Sequence, residues 1–297
     1  MKAPRIKALA LLIACMASTV SIVEAQTLKK VDNSNKITVS YRESAVPFSY
    51  LTAPGKPAGF AVELTDAIVA DVRGKLGKPG IEVAYIPVTA QNRIPLLVDG
   101  TYDLECGSTT NNSARGKEVT FAISHFYTGT RLLAKKSSNI KNYNDLDKKV
   151  VVTTGGSTNE KVLRKFAADN NIGMQIVLGK DYDDAFKMVE SDQAAAFAMD
   201  DILLFGLMAN SASPAAFEVV GDTLQVEPYG CMIRKDDPEF KKLVDGTFTR
   251  LMQSGEFTKL YDKWFKSPIP PKGVVLNMPM SSQLQSNLKE LSDKPAQ

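Results

Sequence analysis

Short β-rich runs alternate with amphipathic helical stretches along this chain, and that alternation limits the fold more than any other feature. Ile37–Tyr41 (ITVSY) reads as a strand. Gly59–Val72 spaces Phe60, Leu64, Ile68 and Val72 four apart, the period of a helix with one buried face. Ile81–Pro87 reads as a second strand, Arg93–Val98 as a helix stopped by Asp99-Gly100, and Thr101–Gly107 as a third strand. The pattern then restarts. Strands Arg131–Ala134, Lys149–Thr153, Gln175–Leu178 and Ala194–Met199 interleave with helices Glu160–Asn170, Tyr182–Ser191 and one beginning over Asp201–Met208. A last strand, Tyr229–Arg234, leads into a long amphipathic helix expected over Glu239–Phe265, which the prolines of Ser267–Lys272 end. A weakly amphipathic segment, about Ser281–Leu291, lies in the tail. Strands alternating with helices imply an α/β fold with mostly parallel sheets, and the restart implies a second small core.

The first 25 residues stand outside this pattern. Lys2, Arg5 and Lys7 precede an uncharged stretch from Ala8 to Val23, and Val23-Glu24-Ala25 sets small residues where a signal peptidase cleaves. An export signal, cut before Gln26, explains the segment better than a membrane anchor or lipidation at Cys15, since the uncharged run is short and broken by hydroxyls. Cleavage would turn 36 basic and 33 acidic residues into 33 and 32, because the leader holds Lys2, Arg5, Lys7 and Glu24. It would leave Cys106 and Cys231, which an oxidising compartment allows to pair; the alternative is two buried thiols packed as small hydrophobes. A composition of 44% apolar and 23% charged residues is that of a globular protein, and a formal charge of +3 argues against a nucleic-acid partner.

The polar groups favour binding over catalysis. The one histidine, His125, has no nucleophile elbow beside it and reads as structural. Gly155-Gly156-Ser157 lacks the Lys of a phosphate loop, so no nucleotide is expected there. Ser157 reads instead as a helix N-cap with Glu160 completing a capping box, leaving amides that suit a carboxylate. ECGSTTNNSAR (105–115) follows a strand with hydroxyl donors and then Arg115, a plausible carboxylate clamp. Arg42 follows the first strand, Arg93 opens a helix, and Asp200-Asp201 end the AAAFAM strand. These positions fall at strand ends or helix starts, the edge where open α/β sheets bind ligands.

The words RESAVPFSY (42–50), QNRIPLL (91–97), ECGSTTNN (105–112), GTRLL (129–133), MDD (199–201), YGCMIRKDDP (229–238) and DKWFKSPIPP (262–271) carry a wider likeness. With them the chain resembles the periplasmic amino-acid-binding proteins of ABC importers, and within that family its glutamate/aspartate-binding members. The resemblance implies a two-lobed periplasmic-binding-protein fold, each lobe an open, mostly parallel sheet flanked by helices, with two crossover strands as hinge. Lobe 1 would take residues 26–127 and 226–270, lobe 2 residues 128–225, and the tail 271–297. It implies an α-carboxylate clamp of Arg115, Ser108, Thr110 and Thr158, an α-ammonium partner in Asp200 aided by Ser108, and a side-chain carboxylate pair in Arg42 and Arg93. Ala90 and Tyr182 depart from the pattern at the side-chain end, where relatives carry Ser and His. Three arginines and one aspartate count as +2, which suits an acidic ligand; Glu43 and Glu105 adjoin as candidate partners for the remaining charge. A monomeric receptor that needs no cofactor or metal and hands its amino acid to a membrane permease is the expected function. A dehydratase built on the same fold, using Asp200-Asp201 and Tyr182, and a sensor for a signalling partner are the other readings.

Overall fold

The computed structural model describes residues 26–296; the expected export signal and Cys15 lie outside them. The chain opens with α1 (Thr27–Ser34), absent from the expectation because Val31 is its one deeply buried apolar residue and the helical period is faint. Next come β1 (Lys36–Tyr41), a small antiparallel meander of β2 (Ser44–Ala45), β3 (Ser49–Ala53) and β4 (Lys56–Ala58), α2 (Phe60–Leu76), β5 (Glu82–Pro87), α3 (Arg93–Val98), β6 (Leu104–Glu105) and β7 (Val119–Phe121). Phe60, Leu64, Ile68 and Val72 are fully buried on α2, as their spacing requires. The third strand is only Leu104–Glu105 rather than Thr101–Gly107. Its amino-terminal side is drawn into a turn at Asp99, and from Cys106 the chain leaves the sheet.

The second set begins with β8 (Phe126–Lys135) and continues through β9 (Val150–Thr154), α4 (Thr158–Asp169), β10 (Gln175–Gly179), α5 (Tyr182–Glu190), β11 (Ala196–Asp200), α6 (Asp201–Asn210) and β12 (Phe217–Val220). The return path is β13 (Val226–Tyr229) and β14 (Met232–Arg234), followed by α7 (Pro238–Ser254), α8 (Glu256–Phe265) and α9 (Ser282–Glu290). One strand was expected where β13 and β14 stand; Gly230 and Cys231 separate them, and each pairs in a different sheet. One helix was expected where α7 and α8 stand. Gly255 breaks it with φ +80°, a left-handed conformation that costs glycine nothing, and no side chain crowds the position.

Beside the three-stranded meander two larger sheets result, and the fold is α/β with two lobes. The first is five-stranded in the order β5-β1-β6-β14-β7; β1 runs parallel to β5 and β6, and β14 antiparallel to β6 and β7. The second runs β10-β9-β11-β8-β12, with β9 parallel to β10 and β11, and β13 pairing the start of β8. The chain crosses between the sheets twice, around Ala122–His125 and around Gly230-Cys231. Both crossings are anchored in an aromatic core. Phe48 meets Phe126 of β8 at 4.9 Å and Tyr229 of β13 at 5.3 Å, edge-on, and Phe126 stacks on Phe265 at 5.2 Å. The sulfurs of Cys106 and Cys231 are bonded, tying the end of β6 to the return crossing over a separation of 125 residues.

Candidate functional site

The parallel strands carry the candidate residues off their carboxyl ends. Arg42 follows β1 directly, Arg93 opens α3 after β5, and Ser108, Thr110 and Arg115 lie on the loop after β6. In the second sheet Thr158 opens α4 after β9, Tyr182 opens α5 after β10, and Asp200 is the last residue of β11. Arg42, Arg93, Ser108, Thr110, Tyr182 and Asp200 are each at most 2% exposed, and Arg115 is 9% exposed. Charged side chains this deep need partners; Arg93 and Asp200 find theirs within their own lobe, while Arg42 and Arg115 also reach across to the loops of the other sheet.

Four residue pairs span the two sets of loops. The Arg42 guanidinium lies over the Tyr182 ring, 4.6 Å from its centroid, and its Nη1 donates to the phenol oxygen at 3.3 Å. That oxygen shares a further hydrogen bond with Ser108 Oγ at 3.2 Å. Arg115 donates from Nη1 to the Thr110 carbonyl at 2.9 Å and from Nη2 to the Gly156 carbonyl at 3.2 Å. The hydroxyls of Thr110 and Thr158 stand 3.4 Å apart. The loops approach so closely that a Cβ on Gly156, whose φ is +77°, would lie 2.8 Å from the Gln91 Cα. Ala90, buried next to Gln91, belongs to the same contact.

Two buried carboxylates join the expected set. Glu105 accepts from Thr109 at 2.9 Å, and Thr109 Oγ1 in turn accepts from Arg93 Nη1 at 2.5 Å, so one hydroxyl relays guanidinium to carboxylate. Burial pushes the Glu105 carboxyl up, against the pull of Arg93 and the Thr109 hydrogen bond. Glu105 was anticipated from its position beside the clamp; Glu227 was not. Glu227, on β13, accepts from Thr110 Oγ1 at 2.7 Å and Thr158 Oγ1 at 2.5 Å through one oxygen, and from Gln225 Nε2 at 3.2 Å through the other. Its signal in the sequence was a charged residue in the otherwise apolar run VEPY, masked by Pro228, which breaks most strands. Glu43, the other candidate by adjacency, is exposed.

Asp200 is held from both sides. Tyr229 donates to Oδ2 at 2.5 Å and Asn159 Nδ2 donates to Oδ1 at 3.1 Å. Burial, then the nearby Glu227 charge, pushes its carboxyl up to about 7, while the hydrogen bonds from Tyr229 and Asn159 pull the other way. Burial, followed by the like charge of Arg93, brings the Arg115 guanidinium down to about 10, with Glu227, Tyr182 and Asp200 opposing. Asp201 turns away, accepting from Thr128 at 2.7 Å. The expected capping box at α4 does not form. Ser157 Oγ donates to the Thr154 carbonyl at 2.7 Å, and Glu160 pairs with Arg164 one turn on. His125 is structural: its Nε2 donates to the Gly107 carbonyl at 3.0 Å, its ring stacks on Phe248, and burial holds it neutral, down to about 4.

Three buried guanidiniums from the loops of the first sheet meet buried carboxylates from both lobes, beside strand ends and a helix start, a chemistry that suits a small charged molecule. The family model for bacterial extracellular solute-binding proteins, family 3, matches residues 37–267. The chain belongs to that family. This solute-binding protein is 46% identical to the L-glutamate/L-aspartate-binding protein of Pseudomonas aeruginosa, over 99% of this chain and 98% of that one. It is 47% identical to the glutamate/aspartate import solute-binding protein of Escherichia coli, over 90% of this chain and 89% of that one. Among solved structures it resembles an ancestral amino-acid-binding protein described as a precursor of cyclohexadienyl dehydratase, with TM-score 0.70 and 28% identity, over 81% of this chain and all of that one. Its near relatives are named for solute binding and import rather than for an enzymatic reaction.

Proposed function

We propose that this protein is a periplasmic receptor that captures an acidic L-amino acid, glutamate or aspartate, by closure of its two lobes and delivers it to the permease of an ABC importer. The observation that carries the reading is the burial of Arg42, Arg93 and Arg115 together with Asp200 where loops of the two sheets meet. The names of the near relatives support the ligand and the permease.

The roles follow from chemistry. Arg115, Ser108, Thr110 and Thr158 hold the α-carboxylate, Asp200 and Ser108 meet the α-ammonium, and Arg42 and Arg93 take the side-chain carboxylate, with Tyr182 packed on Arg42. Counting Glu105 and Glu227 changes the earlier charge sum. Three arginines face three carboxylates, and one shared proton leaves +1, which the net −1 of glutamate or aspartate neutralises. A neutral amino acid leaves the Arg42 and Arg93 end without its carboxylate, an arrangement that buried charges penalise strongly. Lobe 1 corresponds to residues 26–127 and 226–270 and lobe 2 to 128–225, with 271–297 as a tail, in a monomer exported by the leader at residues 1–25. No helix among the described residues is long and apolar enough to cross a membrane.

Titration calorimetry with L-glutamate, L-aspartate and L-glutamine tests this reading. Heat is expected from both acids, and glutamine is expected to bind at least about 100-fold more weakly, the scale of a buried charge left unpaired. Acid affinities weaker than about 100 μM would overturn it.

A further inference from the structure

The hydroxyls assigned to the α-carboxylate are already committed. Thr110 Oγ1 and Thr158 Oγ1 both donate to the same oxygen of Glu227, at 2.7 and 2.5 Å. A hydroxyl has one hydrogen. While that hydrogen points at Glu227, each hydroxyl offers a second carboxylate only lone pairs. An α-carboxylate arriving at Arg115, Thr110 and Thr158 would also stand beside the buried Glu227 charge, and two buried carboxylates at one site cannot both stay ionised cheaply.

We infer that Glu227 is a positioning residue that carries a proton when the amino acid is bound, freeing the hydroxyls of Thr110 and Thr158 to turn to the ligand's α-carboxylate. This inference rests on the amino-acid reading above. A proton is close at hand. Tyr229 and Glu227 leave β13 two residues apart, on one face of the strand, and Tyr229 donates to Asp200. Asp200 and Glu227 therefore share one polar cluster, and burial with the Glu227 charge already favours a proton on Asp200 near neutrality. The ligand ammonium requires Asp200 ionised, and the α-carboxylate requires Glu227 neutral, so binding moves the proton from one to the other and completes its occupancy from solvent. The groups facing this pair are Thr110 and Arg115 from the loop after β6, Thr158 and Asn159 of α4, Gln225 before β13, Tyr229 of β13 and Tyr182 of α5, with the Asp201 carboxylate of α6 nearby but turned toward Thr128. Of these Arg115 alone is cationic, and it would serve the ligand's own α-carboxylate.

The sign is fixed. The empty site loses its proton as the pH rises through about 7, and the occupied site keeps one, so ligand binding takes up protons and weakens as pH rises. Calorimetry of L-glutamate or L-aspartate in two buffers of different ionisation enthalpy, from pH 6.5 to 8.5, reads the uptake directly. Wild type is expected to take up close to one proton per ligand at pH 8.5, with Kd rising nearly tenfold per pH unit there. Glu227→Gln, an uncharged stand-in for the protonated acid, is expected to bind with an affinity nearly independent of pH and to tighten relative to wild type at pH 8.5. Glu227→Ala, which lacks the hydrogen-bonding head, is expected not to reproduce this. Proton release, zero uptake in wild type, or an unchanged pH slope in Glu227→Gln would each overturn the inference while leaving the receptor reading intact. Failure of wild type to bind either acid would overturn the receptor reading itself. Should Glu227→Gln fail to fold, the wild-type uptake alone decides.

Discussion

The two ends of the cleft are built differently. At the end assigned to the amino-acid head, one arginine, Arg115, stands among short side chains: Ser108 and Thr110 on the loop after β6, Thr158 at a helix start and Asp200 at a strand end, each with a named partner within hydrogen-bonding distance. At the end assigned to the side chain, Arg42 and Arg93 are long and flexible, and their surroundings hold them: Tyr182 beneath one, Thr109 and Glu105 beside the other. The Arg93 Nε and a Glu105 oxygen stay buried there without hydrogen-bond partners. Short groups on rigid elements set a fixed geometry, whereas long groups held by neighbours can be retuned by changing a neighbour. The head end should therefore decide whether any α-amino acid binds, and the side-chain end which one.

The harshest way to break this contrast is to remove its brace. The Cys106–Cys231 bond joins the chain two residues before Ser108 to the chain two residues after Tyr229. Replacing both cysteines by serine is expected to lower stability by up to about 5 kcal/mol on the chain-entropy estimate, seen in denaturant unfolding. Unchanged unfolding would mean that the head end stands without it. Next in size is Asp200→Ala. Calorimetry should show every amino acid weakened by about 100-fold or more, because truncating one partner of a buried charge pair costs roughly 2–5 kcal/mol; acids and neutral ligands should fall together. Arg42→Met should act selectively. Glutamate and aspartate are expected to weaken by about 30-fold while glutamine changes little, since a charge-assisted hydrogen bond contributes roughly 1.5–3 kcal/mol. Equal losses for all three would erase the distinction between the ends. The smallest effect belongs to Tyr182→Phe, which keeps the ring under Arg42 and removes the hydroxyl shared with Arg42 and Ser108. A change of about 5-fold is expected, the scale of one hydrogen bond, with a shift in the glutamate-to-aspartate ratio as its mark.

Much of this was readable from the residues, for a physical reason. In a parallel sheet, ligand groups collect beyond the strand ends, and a strand end is where periodicity stops and polar residues begin. Thr158 and Tyr182 were named through the family resemblance, whereas Arg42, Arg93, Ser108, Thr110 and Asp200 stand at or just past such places, so the same punctuation that defines the elements marks them. Glu227 does not. It lies within β13, which pairs antiparallel with β8 at a crossing between the sheets, and nothing local separates a buried glutamate from a solvated one. Its burial is set by Thr110 and Thr158, which come from distant parts of the chain. The break in the last helix escaped for a related reason. The apolar stripe of α7 and α8 continues past Gly255 with buried Phe257, Tyr261, Trp264 and Phe265, so periodicity alone reads one helix where a single left-handed glycine makes two. The Ser157 hydroxyl illustrates local competition: a nearby carbonyl took the hydrogen bond that a capping box would have used.

A structure of the protein with L-glutamate bound tests the division of the cleft most directly. The ammonium is expected about 3 Å from the Asp200 carboxylate, the α-carboxylate on Arg115 with the hydroxyls of Thr110 and Thr158, and the side-chain carboxylate on Arg42 and Arg93. A ligand lying the other way round, with its head on Arg42 and Arg93 and its side chain at Arg115, would contradict the account.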